Sequence, residues 1–102
     1  MAQVFSTYAL NVDELPEGWT IDRIKAMGVA TASLVSSTTY AVEDGVTDLI
    51  ELSPTVIVDC GDQYLVHDET DNLWHMGQMD DDGTIWCWGA YGEDLGDAIN
   101  GL

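Results

Sequence analysis

Hydrophobic positions are densest between Leu73 and Tyr91, where they follow the two-residue period of a β-strand rather than the 3.6-residue period of a helix. Residues 73–78 and 84–91 read as the arms of a hairpin. The loop from Met79 to Gly83 joins them, and Gly83 can take the left-handed conformation that closes a turn of three to five residues. Alternation about that loop places Trp74, Met76, Trp86 and Trp88 on one face, and Leu73, His75, Ile85 and Cys87 on the other. The second arm is apolar on both faces, so it is expected to be a central strand covered on both sides. Asp80, Asp81 and Asp82 occupy the hairpin tip.

Residues 55–60 and 63–68 form a second alternating pair about Gly61-Asp62, a loop with glycine first, which pairs Val58 with Leu65 and Ile57 with Val66. Residues 69–72 are a polar turn, and residues 55–91 therefore read as a four-stranded antiparallel meander. Its turns alternate between the two ends of the sheet. Asp59, Asp62, Asp80, Asp81 and Asp82 gather at one end, and Asp68, Glu69 and Asp71 at the other.

Around the meander the pattern is weaker. Residues 3–10 have the content of a first strand, and residues 11–18 form a loop broken by Pro16 and Gly18, which Trp19 anchors to the core. Thr20 suits the N-cap of a short helix over residues 21–27. Asp22 then lies in its first turn, Arg23 and Lys25 in its later half, and Gly28 stops it, with Ile21, Ile24 and Met27 as its buried stripe. The β-branched content of residues 29–42 predicts a strand, residues 43–45 a turn, and residues 46–52 a strand or helical turn ended by Ser53-Pro54. After Gly92 the spacing predicts a closing helix, with Glu93 and Asp94 in its first turn, Leu95, Ala98, Ile99 and Leu102 on one face, and Asp97 in solvent. The expected fold is α+β: one domain over residues 1–102, an antiparallel meander with a short N-terminal helix and a C-terminal helix packed on the sheet.

Charge changes the picture more than any motif does. Nineteen Asp and Glu oppose two basic residues, Arg23 and Lys25, for a net charge of −17, yet 46% of the chain is hydrophobic and it carries four Trp. That composition describes a folded protein rather than a disordered acidic tail. Such a surface repels nucleic acid and anionic lipid, so the natural partner is basic. Two cysteines with no basic, apolar leader point to the cytoplasm and reduced thiols, and no segment approaches the roughly 20 apolar residues of a membrane span.

Catalytic and metal chemistry find little support in the spacing. Cys60, His67, His75 and Cys87 are zinc-ligand types, but they form no CxxC or HxxxH pair, so no metal or other cofactor is expected. Cys87 with His75 as a nucleophile pair lacks any sign of an oxyanion hole. The run Asp80-Asp81-Asp82-Gly83 lacks the alternate acids and terminal Glu of an EF-hand, and paired carboxylates for glycoside hydrolysis would need a cleft that a domain of this size has little room for. The reading is non-enzymatic.

Seventeen charges match roughly 29 Å of duplex DNA at one charge per about 1.7 Å, and a compact domain of this length is about 33 Å across. In size and composition, though without a shared motif, the chain resembles the small acidic DNA-mimic inhibitors of phages and mobile elements, among them anti-restriction and anti-CRISPR proteins. The ending, residues 86–102 (WCWGAYGEDLGDAINGL), looks like small actinobacterial and phage proteins, a likeness that carries no functional residue. The resemblance implies a protein that blocks the groove of a basic nucleic-acid-binding protein or nuclease, in the host cytoplasm if phage-encoded. Asp59, Asp62, Asp80, Asp81 and Asp82, with Asp68, Glu69 and Asp71 at the far end, are the expected contact residues. An immunity protein against a nuclease toxin and a halophile-adapted soluble protein are the other readings of the same charge.

Overall fold

A computed structural model describes residues 13–44 and 48–102. The strand expected at residues 3–10 lies outside the described residues. Thr20 caps helix α1 (Ile21–Ala26), its hydroxyl accepting the Arg23 N–H at 3.0 Å, and Gly28 follows the last turn. Ile24 is buried, Ile21 is half-buried and Met27 is largely exposed, so the stripe is narrower than its spacing of three suggests. Trp19 packs against the core below, and the Arg23 guanidinium lies 3.9 Å over its ring.

Seven strands follow: β1 (Ser33–Val35), β2 (Ala41–Asp44), β3 (Leu49–Glu51), β4 (Pro54–Asp59), β5 (Tyr64–Asp68), β6 (Leu73–Met79) and β7 (Ile85–Ala90), and the chain closes with helix α2 (Leu95–Asn100). They form one curled sheet in the order β1-β4-β5-β6-β7-β2-β3. The fold is α+β. Strands β4 to β7 are sequential antiparallel neighbours, with Val58 opposite Leu65 and Ile57 opposite Val66. A pure meander is nonetheless the wrong description of the sheet, because β2 joins the edge of β7 in parallel, Val42 opposite Trp86. The single strand expected over residues 29–42 is divided by a turn into β1 and β2, which lie on opposite sides of the meander. Glu43 and Asp44, expected in a turn, extend β2 instead. Strand β3 ends ahead of Ser53-Pro54 as expected, and Pro54 is already the first residue of β4.

Two apolar clusters lie on opposite faces. Val56, Val58, Leu65, Trp74 and Met76 meet Ile24 of α1 and Leu95, Ala98 and Ile99 of α2. On the other face the curl brings Ala41 and Leu52 over Ile57, Val66, Ile85 and Cys87. The strands buried on both faces are therefore β4 and β5 rather than β7. Trp86 and Trp88 are 40% and 54% exposed, because the helices cover β4 to β6 and a bulge after Met76 leaves Trp88 unmatched across the β6–β7 pair. In α2, Asp94 is the N-cap rather than a first-turn residue, Asp97 is exposed as expected, and Leu102 is exposed rather than buried. Among the described residues no helix is long and apolar enough to cross a membrane.

Candidate functional site

The β4–β5 and β6–β7 turns project from the same end of the sheet, as the alternation of the strands requires. The end of β6 reaches the β4–β5 turn there, with Gln78 Nε2 donating to the Asp62 carbonyl at 3.4 Å. Each turn is tied down by its own acids. The Asp59 carboxylate accepts the Gly61 N–H at 2.8 Å, Asp80 accepts the Asp81 N–H at 2.8 Å, and Asp82 accepts the Thr84 N–H at 2.9 Å. Backbone bonds from Asp80 N–H to the Thr84 carbonyl (2.7 Å) and from Gly83 N–H to the Asp80 carbonyl (3.0 Å) close the tip, with Gly83 at φ +88° as expected. The Thr84 hydrogen bond holds the Asp82 carboxyl below the usual carboxylate range. Asp62 and Asp81 are exposed, and their carboxylates accept no hydrogen bond among the described residues. Five of the expected contact acids are thus gathered, with Asp59 half-buried and the other four exposed.

Aromatic groups stand beside this end. Trp86 lines a shallow hollow of about 200 Å³ with Gln78, Met79 and Asp80. Tyr40, 52% exposed, precedes β2 at the same end, where its carbonyl accepts the Ile85 N–H at 2.9 Å. Leu49 and Ile50 of the edge strand β3 are also exposed. Both basic residues of the chain belong to α1, over the helix-covered face.

The other end differs from its expected role. Glu69 is exposed on its turn, but Asp68 is only 4% exposed and accepts the Ser53 N–H at 2.8 Å, so burial withdraws it from any partner's surface. Asp71 Oδ2 lies 2.8 Å from His75 Nε2, while the other ring nitrogen, Nδ1, contacts Glu43 Oε1. His75 is 3% exposed. Burial opposes its charge, and the hydrogen bonds and charges of Glu43 and Asp71 outweigh burial and raise its pKa above the ordinary value. Asp71 is shifted the opposite way: burial would raise it, and the Leu73 N–H together with His75 lowers it. No local signal marks Glu43 as a partner of His75, since 32 residues separate them and the link exists only because β2 docks on β7.

The zinc-type residues do not assemble as a set. Cys60 packs against the helix-covered cluster and Cys87 belongs to the opposite one. His67 is held by Thr55 Oγ1 (2.7 Å to Nδ1) and Asn72 Oδ1 (2.9 Å to Nε2), with its ring 5.1 Å from that of Trp74. It faces a groove of about 380 Å³ whose rim includes Glu14, Glu17 and Glu93. Burial pushes the Cys60 thiol up to about 11 and the Cys87 thiol to about 12, so neither is a thiolate nucleophile near neutral pH. No family model matches the chain, and neither a curated protein nor a solved structure matches it.

Proposed function

We propose that this protein is a non-enzymatic inhibitor that mimics nucleic-acid charge, binds a basic nucleic-acid-binding protein in the cytoplasm and competes with its nucleic acid. The observation that carries the reading is the pairing of charge with exposed aromatic rings at one end of the sheet. Asp62, Asp80, Asp81 and Asp82 project on two neighbouring turns, and Trp86 and Tyr40 flank them. Carboxylates steer a basic partner from a distance but lose strength beyond about 8 Å at physiological salt. Aromatic anchors supply the short-range contact that converts steering into a lasting complex. The two turns sit on adjacent strand pairs, β5 being the direct neighbour of β6, so their charges lie about 5–10 Å apart, comparable to one screening length.

Affinity capture from a candidate host, followed by mass spectrometry, supplies the partner, and the test is competition. Labelled nucleic acid bound to that partner should be displaced as this protein is added. Simultaneous binding of both would overturn the proposal. Replacing Asp80, Asp81 and Asp82 together with Asn keeps the turn chemistry and removes the charge. It should slow association by roughly tenfold and flatten the salt dependence; an unchanged rate and slope would remove this turn from the interface. The protein should also fold cooperatively in dilute buffer, since a core with Trp74 at its centre must outweigh self-repulsion unaided. A chain that folds only toward molar salt would favour halophilic adaptation.

A further inference from the structure

We propose that Asp68, Asp71 and His75 form a site for one divalent transition-metal ion, with Glu43 orienting the histidine from behind. One carboxylate oxygen from each aspartate and one imidazole nitrogen lie within 4.8 Å of one another. Neighbouring ligand atoms about an ion bound at about 2.0–2.1 Å are roughly 2.9–3.4 Å apart, close to the 2.8 Å between Asp71 Oδ2 and His75 Nε2. Glu43 on Nδ1 completes a carboxylate–histidine–metal arrangement, which sets the ring's orientation and raises its basicity toward a metal. Without an ion, the Asp71–His75 contact serves as a hydrogen bond.

Two further observations point to a cation. Both backbone donors to Asp68, from Ser53 and Thr70, reach Oδ1, which leaves its Oδ2 without a donor among the described residues. Charge balance gives the second. Glu43, Asp68 and Asp71 surround His75, so even a protonated imidazole leaves negative charge unanswered in a partly buried cluster. No Lys or Arg answers it, because Arg23 and Lys25 both sit on α1, across the sheet. Asp71, with 38% of its side chain exposed, gives the ion a route in. Imidazole with two carboxylates suits zinc, cobalt or manganese better than calcium or magnesium. Bound there, the ion would tie the end of β5 and the β5–β6 turn to β6, with β2 attached through the Glu43–His75 hydrogen bond.

The test uses the full chain stripped with EDTA and titrated calorimetrically with ZnCl₂, while CoCl₂ supplies a visible absorption band that reports nitrogen and oxygen coordination. One ion per chain and a raised melting temperature are expected. Asp71→Asn, at a partly exposed position, should abolish stoichiometric binding. Glu43→Gln, which keeps a hydrogen-bonding group on Nδ1, should weaken it by about 10- to 100-fold. The Asp80/Asp81/Asp82→Asn variant controls for loose attraction of cations to an acidic surface and should bind like the unmodified protein. The proposal is overturned if the stripped protein binds no zinc, if Asp71→Asn binds as tightly as the parent, or if only the hairpin-tip variant loses the ion.

Discussion

Gly77 sits in the middle of β6 opposite Cys87, where the β-bulge brings the β7 backbone unusually close. A Cβ added at Gly77 would overlap the Trp86 carbonyl oxygen and stand 2.8 Å from its carbon and 2.9 Å from Cys87 Cα. Carbon atoms normally approach to about 3.5–4.0 Å, so the methyl group would be too close by more than half an ångström to three backbone atoms at once. No flexible side chain can swing aside. Relief requires β7 to move as a unit, which loosens its ladder to β6 and its parallel pairing to β2, where Val42 lies opposite Trp86. Overpacking of this kind costs about 3 kcal/mol, which for a domain near 100 residues lowers the melting temperature by roughly 12–24 °C. Gly89 provides the control, because it lies on β7 opposite Met76 and a Cβ there meets nothing within 4 Å. Gly89→Ala should leave stability unchanged or raise it by about 0.4–1 kcal/mol through the unfolded chain. Urea and thermal unfolding of the two variants, followed by tryptophan fluorescence, make the comparison. Should Gly77→Ala melt together with Gly89→Ala, the close approach of the two backbones, and the bulge that turns Trp88 outward, would be wrong.

Two other substitutions test which tryptophans hold the core. Trp74→Ala removes a side chain that is 1% exposed and should cost about 3–5 kcal/mol, whereas Trp88→Ala, at 54% exposure, should stay within about 0.5 kcal/mol of the parent in urea titrations. Comparable losses at both positions would contradict the assignment of faces. The thiols give a chemical test: with Cys60 pushed up to about 11, its thiolate fraction at pH 8 is far below that of an unfolded cysteine, so reaction with a disulfide reagent should be slower by on the order of 100-fold until urea is added. The sign of the linkage follows from the raised pKa. Cys60 contributes stability in full below the ordinary thiol range, and that contribution is lost as pH rises from there toward 11.

Local rules made much of the architecture legible. The Gly61-Asp62 turn and the alternation on either side of it were enough to pair Val58 with Leu65, because a slip of one residue would turn every apolar side chain of the pair to the wrong face. The same alternation brought Asp59, Asp62 and Asp80 to Asp82 to one end, since antiparallel neighbours must turn at alternate ends. Thr20 announced α1 through the hydrogen bond its hydroxyl makes three residues on. Composition alone established that almost no acid has a basic partner in the chain.

Tertiary contact decided the rest. Residues 29–44 carry small and β-branched side chains that suit either one strand or two, and only docking of β2 against the free edge of β7 selects the division. That docking also moves Glu43 from an expected turn to the Nδ1 side of His75, a contact that no spacing rule reaches across 32 residues. Asp68 and Glu69 are adjacent acids in the same polar stretch, yet one is buried and the other exposed. The difference arises because Asp68 is still in register on β5, opposite Leu73 and Pro54, while Glu69 has passed into the turn. Trp86 and Trp88 satisfy the apolar pattern as well as Trp74 does. Which of them the core takes depends on how far the two helices reach across the sheet, and that is set by packing rather than by the order of hydrophobic and polar residues.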